Sequence, residues 1–249
     1  MNRYQEPIII LVHPQLGENI GATARAMLNC GLKKLRIVKP RDGWPNSKAI
    51  RASSGAESII HNAGVYLNSQ DAVSDLNYVI ACTARKRDLR KEQADMDNVI
   101  NGLIDNTYNN LQCGILFGNE SSGLSNDDLD FADILLSIPT NKEFTSLNLS
   151  HAVLIVCFHW MIKFQLKNRD NFIEPKKTID QLAKKSHLSQ FFDHLERDLE
   201  KGGFLFPPEK APKMIKNLRS IFIRSNLNEQ EVKTLRGVIS ALKRAGKSL

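Results

Sequence analysis

Between Leu111 and Lys163 the chain alternates very short apolar runs with loops of turn-forming residues, then enters one long apolar segment. Gly114-Ile115-Leu116-Phe117 runs into Gly118-Asn119-Glu120-Ser121-Ser122-Gly123-Leu124, and Ile134-Leu135-Leu136-Ser137-Ile138 runs into Pro139-Thr140-Asn141. Ser146-Leu147-Asn148-Leu149-Ser150 then opens the apolar segment, read as a helix from Leu147 to Phe164. Apolar runs of four or five residues that stop at turn formers are how strands of a parallel sheet read when both faces are buried. Such sheets bring their loops to one edge, and ligands bind at those carboxyl ends. Gly118 and Gly123 permit positive φ and a close approach of backbone to ligand, so peptide groups can do the binding there. The stretch predicts an α/β fold with a ligand site on the sheet edge.

The upstream sequence fits the same plan. Pro7 to His13 reads as the first strand, Leu35 to Val38 as the second and Tyr78 to Cys82 as a later one. After the first, Asn19 fits a helix N-cap, with Ala22, Ala26 and Met27 on the apolar face of the helix. Helical side chains lean towards the N-terminus, so Arg25 is expected over Gly21, where a missing side chain leaves room, pointing back at Asn19. Thr83-Ala84-Arg85-Lys86-Arg87-Asp88-Leu89-Arg90-Lys91 comes after a strand, which places its cations at the same edge as the glycine loops. A cationic loop there suits phosphate groups of a nucleic acid. Ser125 looks like the start of a capped helix, and Gln93 to Ile104 is a polar, amphipathic connection.

Several classes are disfavoured. The strongly apolar run Ala152 to Ile162 is shorter than the roughly 20 residues a membrane span needs, and the N-terminus lacks a signal-peptide core, so a cytoplasmic protein is expected. His151 and His159 stand eight apart, and Cys30, Cys82, Cys113 and Cys157 form no close pair, so neither a metal site nor a disulfide framework is predicted. The first loop, Gly17-Glu18-Asn19-Ile20-Gly21, is not the Gly-x-Gly-x-x-Gly of a dinucleotide oxidoreductase. Net charge is +7, and its distribution matters more than its sum. Residues 1–162 hold 15 Lys and Arg against 17 Asp and Glu, whereas 163–249 hold 19 against 10. A basic excess of this kind suits a polyanion, and equally a solvated helix surface. Residues 1–165 read as the catalytic-type domain, 166–178 as a polar linker and 179–249 as a helical extension with segments at Leu188–Lys201, Pro208–Arg224 and Asn228–Lys247.

Three of these segments carry a resemblance. Asn19-Ile20-Gly21-Ala22-Thr23-Ala24-Arg25-Ala26-Met27, Phe117 through Leu124, and Ser146-Leu147-Asn148-Leu149 are similar, in order, to the three signature motifs of the SpoU/TrmH-type SPOUT RNA 2′-O-methyltransferases. The Gly203-Phe204-Leu205-Phe206-Pro207 joint and Leu235-Arg236-Gly237-Val238-Ile239 resemble the extension of the TrmJ branch, which acts on the tRNA anticodon loop. The resemblance implies a Rossmann-like parallel sheet tied in a trefoil knot and flanked by helices. It also implies a homodimer with its active site at the subunit interface, S-adenosylmethionine as cofactor, and tRNA as substrate with nucleotide 32 as acceptor. Arg25, Asn19, Glu120, Ser146 and Asn148 take the catalytic positions by this resemblance. Thr83, Leu116, Gly118, Asn119, Glu120, Gly123, Ile138, Ser146 and Leu147 take the cofactor positions, and Arg25, Arg85 and Arg87 the RNA positions. Two rival readings are ribosomal RNA as substrate and an RNA-binding dimer without turnover.

Methyl transfer to a ribose hydroxyl needs an aligned donor and acceptor, help in removing the hydroxyl proton, and no metal. Guanidinium groups keep their proton in water, so the arginine's expected work is to bind the adjacent phosphate and stabilise the developing oxyanion.

Overall fold

Ile8 to Val12 form strand β1, and each of its five residues is at most 3% exposed. A strand without a solvent face must sit between layers, and its neighbours confirm that it does. A computed structural model describes residues 5–84, 93–169 and 182–245, and the chain divides into two compact units, 1–177 and 178–249.

In the first unit β1 is followed by β2 (Leu35–Val38), β3 (Gly64–Tyr66), β4 (Tyr78–Cys82), β5 (Gln93–Ala94), β6 (Cys113–Phe117) and β7 (Ile134–Leu136). They form one sheet in the order β3-β2-β1-β6-β4-β7-β5, with every pair parallel. β6 is inserted between β1 and β4, with Leu116 opposite Ile10 on one side and Ala81 on the other. Ile8, Ile10, Val12, Val79, Ala81 and Leu116 pack on one sheet face with Leu76, Leu124 and Leu129. The predicted strand at Ile134 ends at Leu136, two residues early, because the chain turns there into the site loop.

The helices of this unit are α1 (Gly17–Asn29), α2 (Ser47–Ser53), α3 (Glu57–His61), α4 (Ser69–Val73), α5 (Met96–Tyr108), α6 (Asn126–Asp130) and α7 (Leu149–Arg169). α6 has the capping box its sequence suggests, with Ser125 and Asp128 reciprocally bonded. Asn19 is not an N-cap: α1 starts two residues earlier behind Leu16, and Asn19 lies in its buried first turn. Gly21 does not make room for Arg25 either. A Cβ there would lie 2.3 Å from the carbonyl oxygen of Ala49, so the bare face of α1 is filled by the α2 backbone.

α7 packs on α1 and α5, burying Val153, Val156, Cys157, Trp160 and Phe164. It continues to Arg169, through residues whose polarity reads as the start of a linker. Within Leu149–Asn168 an 18-residue window reaches a mean hydropathy of 1.4, enough to cross a membrane by length and composition alone, a test that buried core helices also pass. The helix is tied to α5 by polar contacts. Asp97 takes His159 at 2.8 Å and Lys163 at 2.9 Å, and Asp105 takes Lys167.

The second unit holds α8 (Lys185–Lys201), α9 (Ala211–Arg224) and α10 (Glu229–Ala245) around Leu188, Phe191, Phe192, Ile223 and Val232. Phe191 and Phe222 meet edge to face at 4.9 Å, and Arg219 binds Glu196 through two nitrogens at 2.6 and 3.0 Å. Lys201, Lys210, Lys213, Arg224, Lys233 and Arg236 are exposed, so the basic surplus of the last third lies largely on the surface of this unit.

Candidate active site

A cleft of about 340 Å³ opens at the carboxyl ends of β4, β6 and β7. Its wall is built from the strand ends and the loops that leave them: Cys82 of β4 with Thr83 and Ala84, Phe117 of β6 with Gly118 to Leu124, Ile138 and Thr140 after β7, and Thr145 to Leu147 before α7. That is the edge where a parallel sheet offers its loops. Leu147, Leu149, Ala152 and Ile138 supply apolar wall, while Thr83, Thr140, Thr145 and Ser146 supply hydroxyls. Among the described lining residues the one carboxylate is that of Glu120, and there is no lysine or arginine.

The glycines of the second loop work in two different ways. Gly123 has φ of +70°, which favours a residue without a side chain. Gly118 is needed for space: a Cβ there would stand 2.1 Å from the carbonyl carbon of Gly123 and 2.2 Å from the nitrogen of Leu124. The loop thus closes on itself, and Asn119 staples it by accepting from the Ser121 and Ser122 amides at 3.0 and 2.7 Å.

Three segments far apart in sequence meet at this cleft. Asn19 Nδ2 donates to Glu120 Oε1 at 2.6 Å, and Asn148 Nδ2 donates to Asn19 Oδ1 at 3.0 Å. Glu120 also accepts from the backbone amides of Gln15 at 2.9 Å and Leu16 at 3.4 Å. These donors precede α1, so the carboxylate sits where the N-terminal end of a helix favours negative charge. Leu16 has no capping side chain of its own, and Glu120 serves that end from the other loop. Asn148 Oδ1 in turn accepts from the amide and hydroxyl of Ser150, at 2.9 and 2.7 Å, fixing the first turn of α7.

Thr83, Gly118, Asn119, Glu120, Gly123, Ile138, Ser146 and Leu147 all line the cleft. Leu116 does not; its side chain is buried in the core cluster and Phe117 takes the position at the wall. Arg25 is also absent from the lining and is exposed. It is six residues beyond Asn19, about 9 Å along α1, and the two side chains leave the helix about 120° apart. Among the described residues it has no hydrogen bond or ion pair. Arg85 and Arg87 lie outside the described residues.

Sequence reasoning does not single out Gln15, whose backbone amide holds Glu120 and whose side chain reaches Ser121 Oγ at 2.9 Å. A main-chain donor has no sequence signature. Thr145, Ala84 and Ala152 escape it too, although Thr140 stands in a loop already marked as a turn. The four cysteines are free, and burial pushes the Cys82 thiol up to about 12 and raises that of Cys157. Among the described residues no group of His, Cys, Asp and Glu could hold a metal ion.

Known proteins resemble this chain in sequence and fold. Residues 6–158 match the SpoU rRNA Methylase family, and residues 186–248 match the C-terminal domain of the tRNA methyltransferase TrmJ. The crystal structure of TrmJ from Z. mobilis ZM4 is 39% identical, with a TM-score of 0.85, covering 96% of this chain and 100% of that one. The tRNA (cytidine/uridine/adenosine-2′-O-)-methyltransferase TrmJ of Pseudomonas aeruginosa, strain UCBPP-PA14, is 29% identical over 246 residues, 97% of this chain and 95% of its own. The SpoU methyltransferase AviRb from Streptomyces viridochromogenes, solved with AdoMet, shares the fold at a TM-score of 0.50 and 20% identity, covering 64% of this chain and 58% of its own. The chain belongs to the SpoU methylase family, and within it to the RNA 2′-O-methyltransferases that carry the TrmJ C-terminal domain.

Proposed function

We propose that this chain transfers a methyl group from S-adenosylmethionine to the 2′-hydroxyl of a ribose in the tRNA anticodon loop, with nucleotide 32 as acceptor. It works as a cytoplasmic homodimer. The observation that carries this reading is the meeting of Asn19, Glu120 and Asn148 beside a closed glycine loop on the sheet edge.

S-adenosylmethionine, when bound, supplies an electrophilic methyl group on a positively charged sulfur. The cleft fits such a ligand. Its volume is in the range of small-molecule sites, and its described lining has a carboxylate and hydroxyls but no cation to meet a pyrophosphate. Ile138, Leu147, Leu149 and Ala152 would hold the flat base against an apolar wall. The backbone of the loop from Gly118 to Gly123, with Thr83 and Ser146, would hold the polar ends. Glu120 and Asn148 keep the loops in register, so the acceptor hydroxyl meets a pre-set geometry. Arg25 binds the phosphate beside the acceptor ribose and stabilises the alkoxide as the hydroxyl proton leaves to water. Arg85 and Arg87 are assigned to phosphates of the same RNA strand.

The dimer is supported by α7. Leu154, Phe158, Ile162 and Leu166 recur every four residues on one face of that helix, 39–52% exposed, with Ile155 beside them. Such a stripe asks for a partner. The knotted backbone is proposed on the family's resemblance alone.

Because Arg25 leaves α1 about 120° from Asn19, it is assigned to the partner's cleft. Mixing Arg25→Ala with Gly118→Ala protomers tests this. If arginine and cleft come from different subunits, random exchange restores about a quarter of wild-type activity, since half the dimers own one intact site. If they act within one subunit, the mixture stays dead. The activity itself is tested with labelled S-adenosylmethionine and unmodified tRNA or ribosomal RNA, with mapping of the product. Label at position 32 supports the assignment; label at 34, or only in ribosomal RNA, replaces the acceptor, and RNA binding without transfer refutes turnover.

A further inference from the structure

The loop between β2 and α2, residues 39–46, is tied at its start to β3 and Pro14 and at its end to Gly17 of α1, and it carries a cation with no part in the proposed methyl transfer. At its start Lys39 donates its amide to the Tyr66 carbonyl at 2.9 Å, and Arg41 donates its amide to the Pro14 carbonyl at 3.1 Å. Pro14 adjoins Gln15, whose amide is held by Glu120. At its end Asn46 caps α2 through the amides of Lys48 and Ala49, at 3.0 and 3.1 Å. Asn46 also packs under Gly17, where a Cβ would stand 2.3 Å from its Oδ1. The loop is therefore registered on the first turn of α1, the turn that positions Asn19.

Arg41 stands 55% exposed in this loop, close enough to Glu120 to feel its charge. Asp42 takes only its Nε, at 2.8 Å. The two terminal guanidinium nitrogens have no hydrogen bond to any described residue. An exposed ion pair between adjacent residues contributes little stability, so fold stability does not account for it. Its geometry has another consequence: a guanidinium held along one edge loses rotamer freedom while keeping a two-nitrogen fork for a tetrahedral anion.

We infer that Arg41 is a phosphate-binding residue for the substrate RNA, holding the backbone on the β2 side of the acceptor nucleotide while the cleft lies on the β4 and β7 side. The inference rests on the proposed RNA methylation. A strand lying across the carboxyl edge from the cleft, past Glu120, meets this loop next. Phosphate contacts of this kind set position and carry no base information, so Arg41 acts equally on cytidine and uridine acceptors.

The test is steady-state methyl transfer to unmodified tRNA by the full-length protein across a range of salt concentrations, with Arg41→Ala, Arg41→Lys and Asp42→Asn. Arg41→Ala should raise KM for tRNA roughly tenfold near physiological salt, leave kcat within about twofold, and reduce the slope of log KM against log salt by roughly 0.7 to 1. Arg41→Lys should keep the slope and recover part of the KM, and Asp42→Asn should not weaken binding. Affinity for S-adenosylmethionine, read by calorimetry, should be unchanged throughout. KM and slope unchanged in Arg41→Ala overturn the inference. So does a loss of cofactor affinity and thermal stability that Arg41→Lys does not rescue, because that marks a strut for α1. Failure of the wild type to methylate any tRNA would instead sink the underlying reading, which keeps the two failures apart.

Discussion

Gly118→Ala isolates the role of the closed loop. The added methyl would stand 2.1 Å from a backbone carbon and 2.2 Å from a backbone nitrogen, and neither atom can rotate away as a side chain would. Reaching the 3.4 Å of an ordinary contact requires the two arms of the loop to part by about 1.3 Å. Asn119 and Glu120 ride on that loop, so the displacement is passed to the bonds with Gln15 and Asn19. Overpacking of this kind costs about 1–3 kcal/mol in stability, and a misplacement of about 1 Å at a reacting geometry costs roughly a hundredfold in rate. Gly123→Ala is the matched control: its Cβ meets open space and suffers only from φ of +70°, a cost of about 1–2 kcal/mol. The expected result is a hundredfold or greater fall in kcat/KM with weaker S-adenosylmethionine binding for Gly118→Ala, a clearly smaller loss for Gly123→Ala, and far-UV circular dichroism unchanged in both. If Gly118→Ala binds the cofactor within about twofold of wild type, the loop does not close on itself, and the argument from space fails.

Four further outcomes rest on the same geometry. Glu120→Gln keeps one acceptor oxygen but loses the charge beside the start of α1; it should cost about 1–3 kcal/mol by denaturant unfolding and at least tenfold in kcat/KM. Arg25→Lys keeps the charge and loses the planar fork, and should reduce kcat by roughly a hundredfold; retention of most turnover would remove any special role for the guanidinium. Phe158→Glu, in the middle of the exposed stripe on α7, should give a monomer by sedimentation and abolish transfer while leaving helix content intact. Burial lifts the Cys82 thiol from 9.0 to about 12, so the unfolded chain ionises first and this residue's contribution to stability is lost as pH rises from 9 towards 12. In unfolding curves, Cys82→Ser should therefore lose less stability than wild type over that window, the difference vanishing below about pH 8.

The sheet is readable in the sequence because its strands are buried on both faces. Tyr78–Cys82 and Leu35–Val38 are bounded correctly from their mainly apolar runs, since no residue of either is fully exposed and Asn77 and Pro40 stand near their ends. Strand order is not readable. The insertion of β6 between β1 and β4 depends on side-chain fit across the sheet, and each strand reads alike whichever neighbour it has. The short helix Ser69–Val73 escapes because its five residues hold too little periodicity to register. The span of α7 is underestimated for the opposite reason: His159 and Lys163 interrupt the apolar run, yet both are satisfied by Asp97 on α5 and do not end the helix.

At the site, motif order identifies residues but not their work. Asn19 looks like a cap because of its type and position, whereas its amide is spent joining Glu120 to Asn148, partners 101 and 129 residues away. Glu120 takes a catalytic position by the resemblance, and its two oxygens are taken by three donors from the start of α1. These residues therefore hold the loops in place, and a carboxylate already engaged in this way is poorly free to accept a substrate proton. That leaves Arg25, exposed and away from the cleft of its own chain, as the polar group of the first motif still available to the RNA. Gly21 shows why the sequence could suggest the opposite. The gap it leaves on α1 is real, but α2 occupies it, so the room that would have let Arg25 fold back over its own helix start is gone. The same glycine that allows α1 and α2 to pack is thus compatible with the proposed site, in which Arg25 serves the cleft of a second copy.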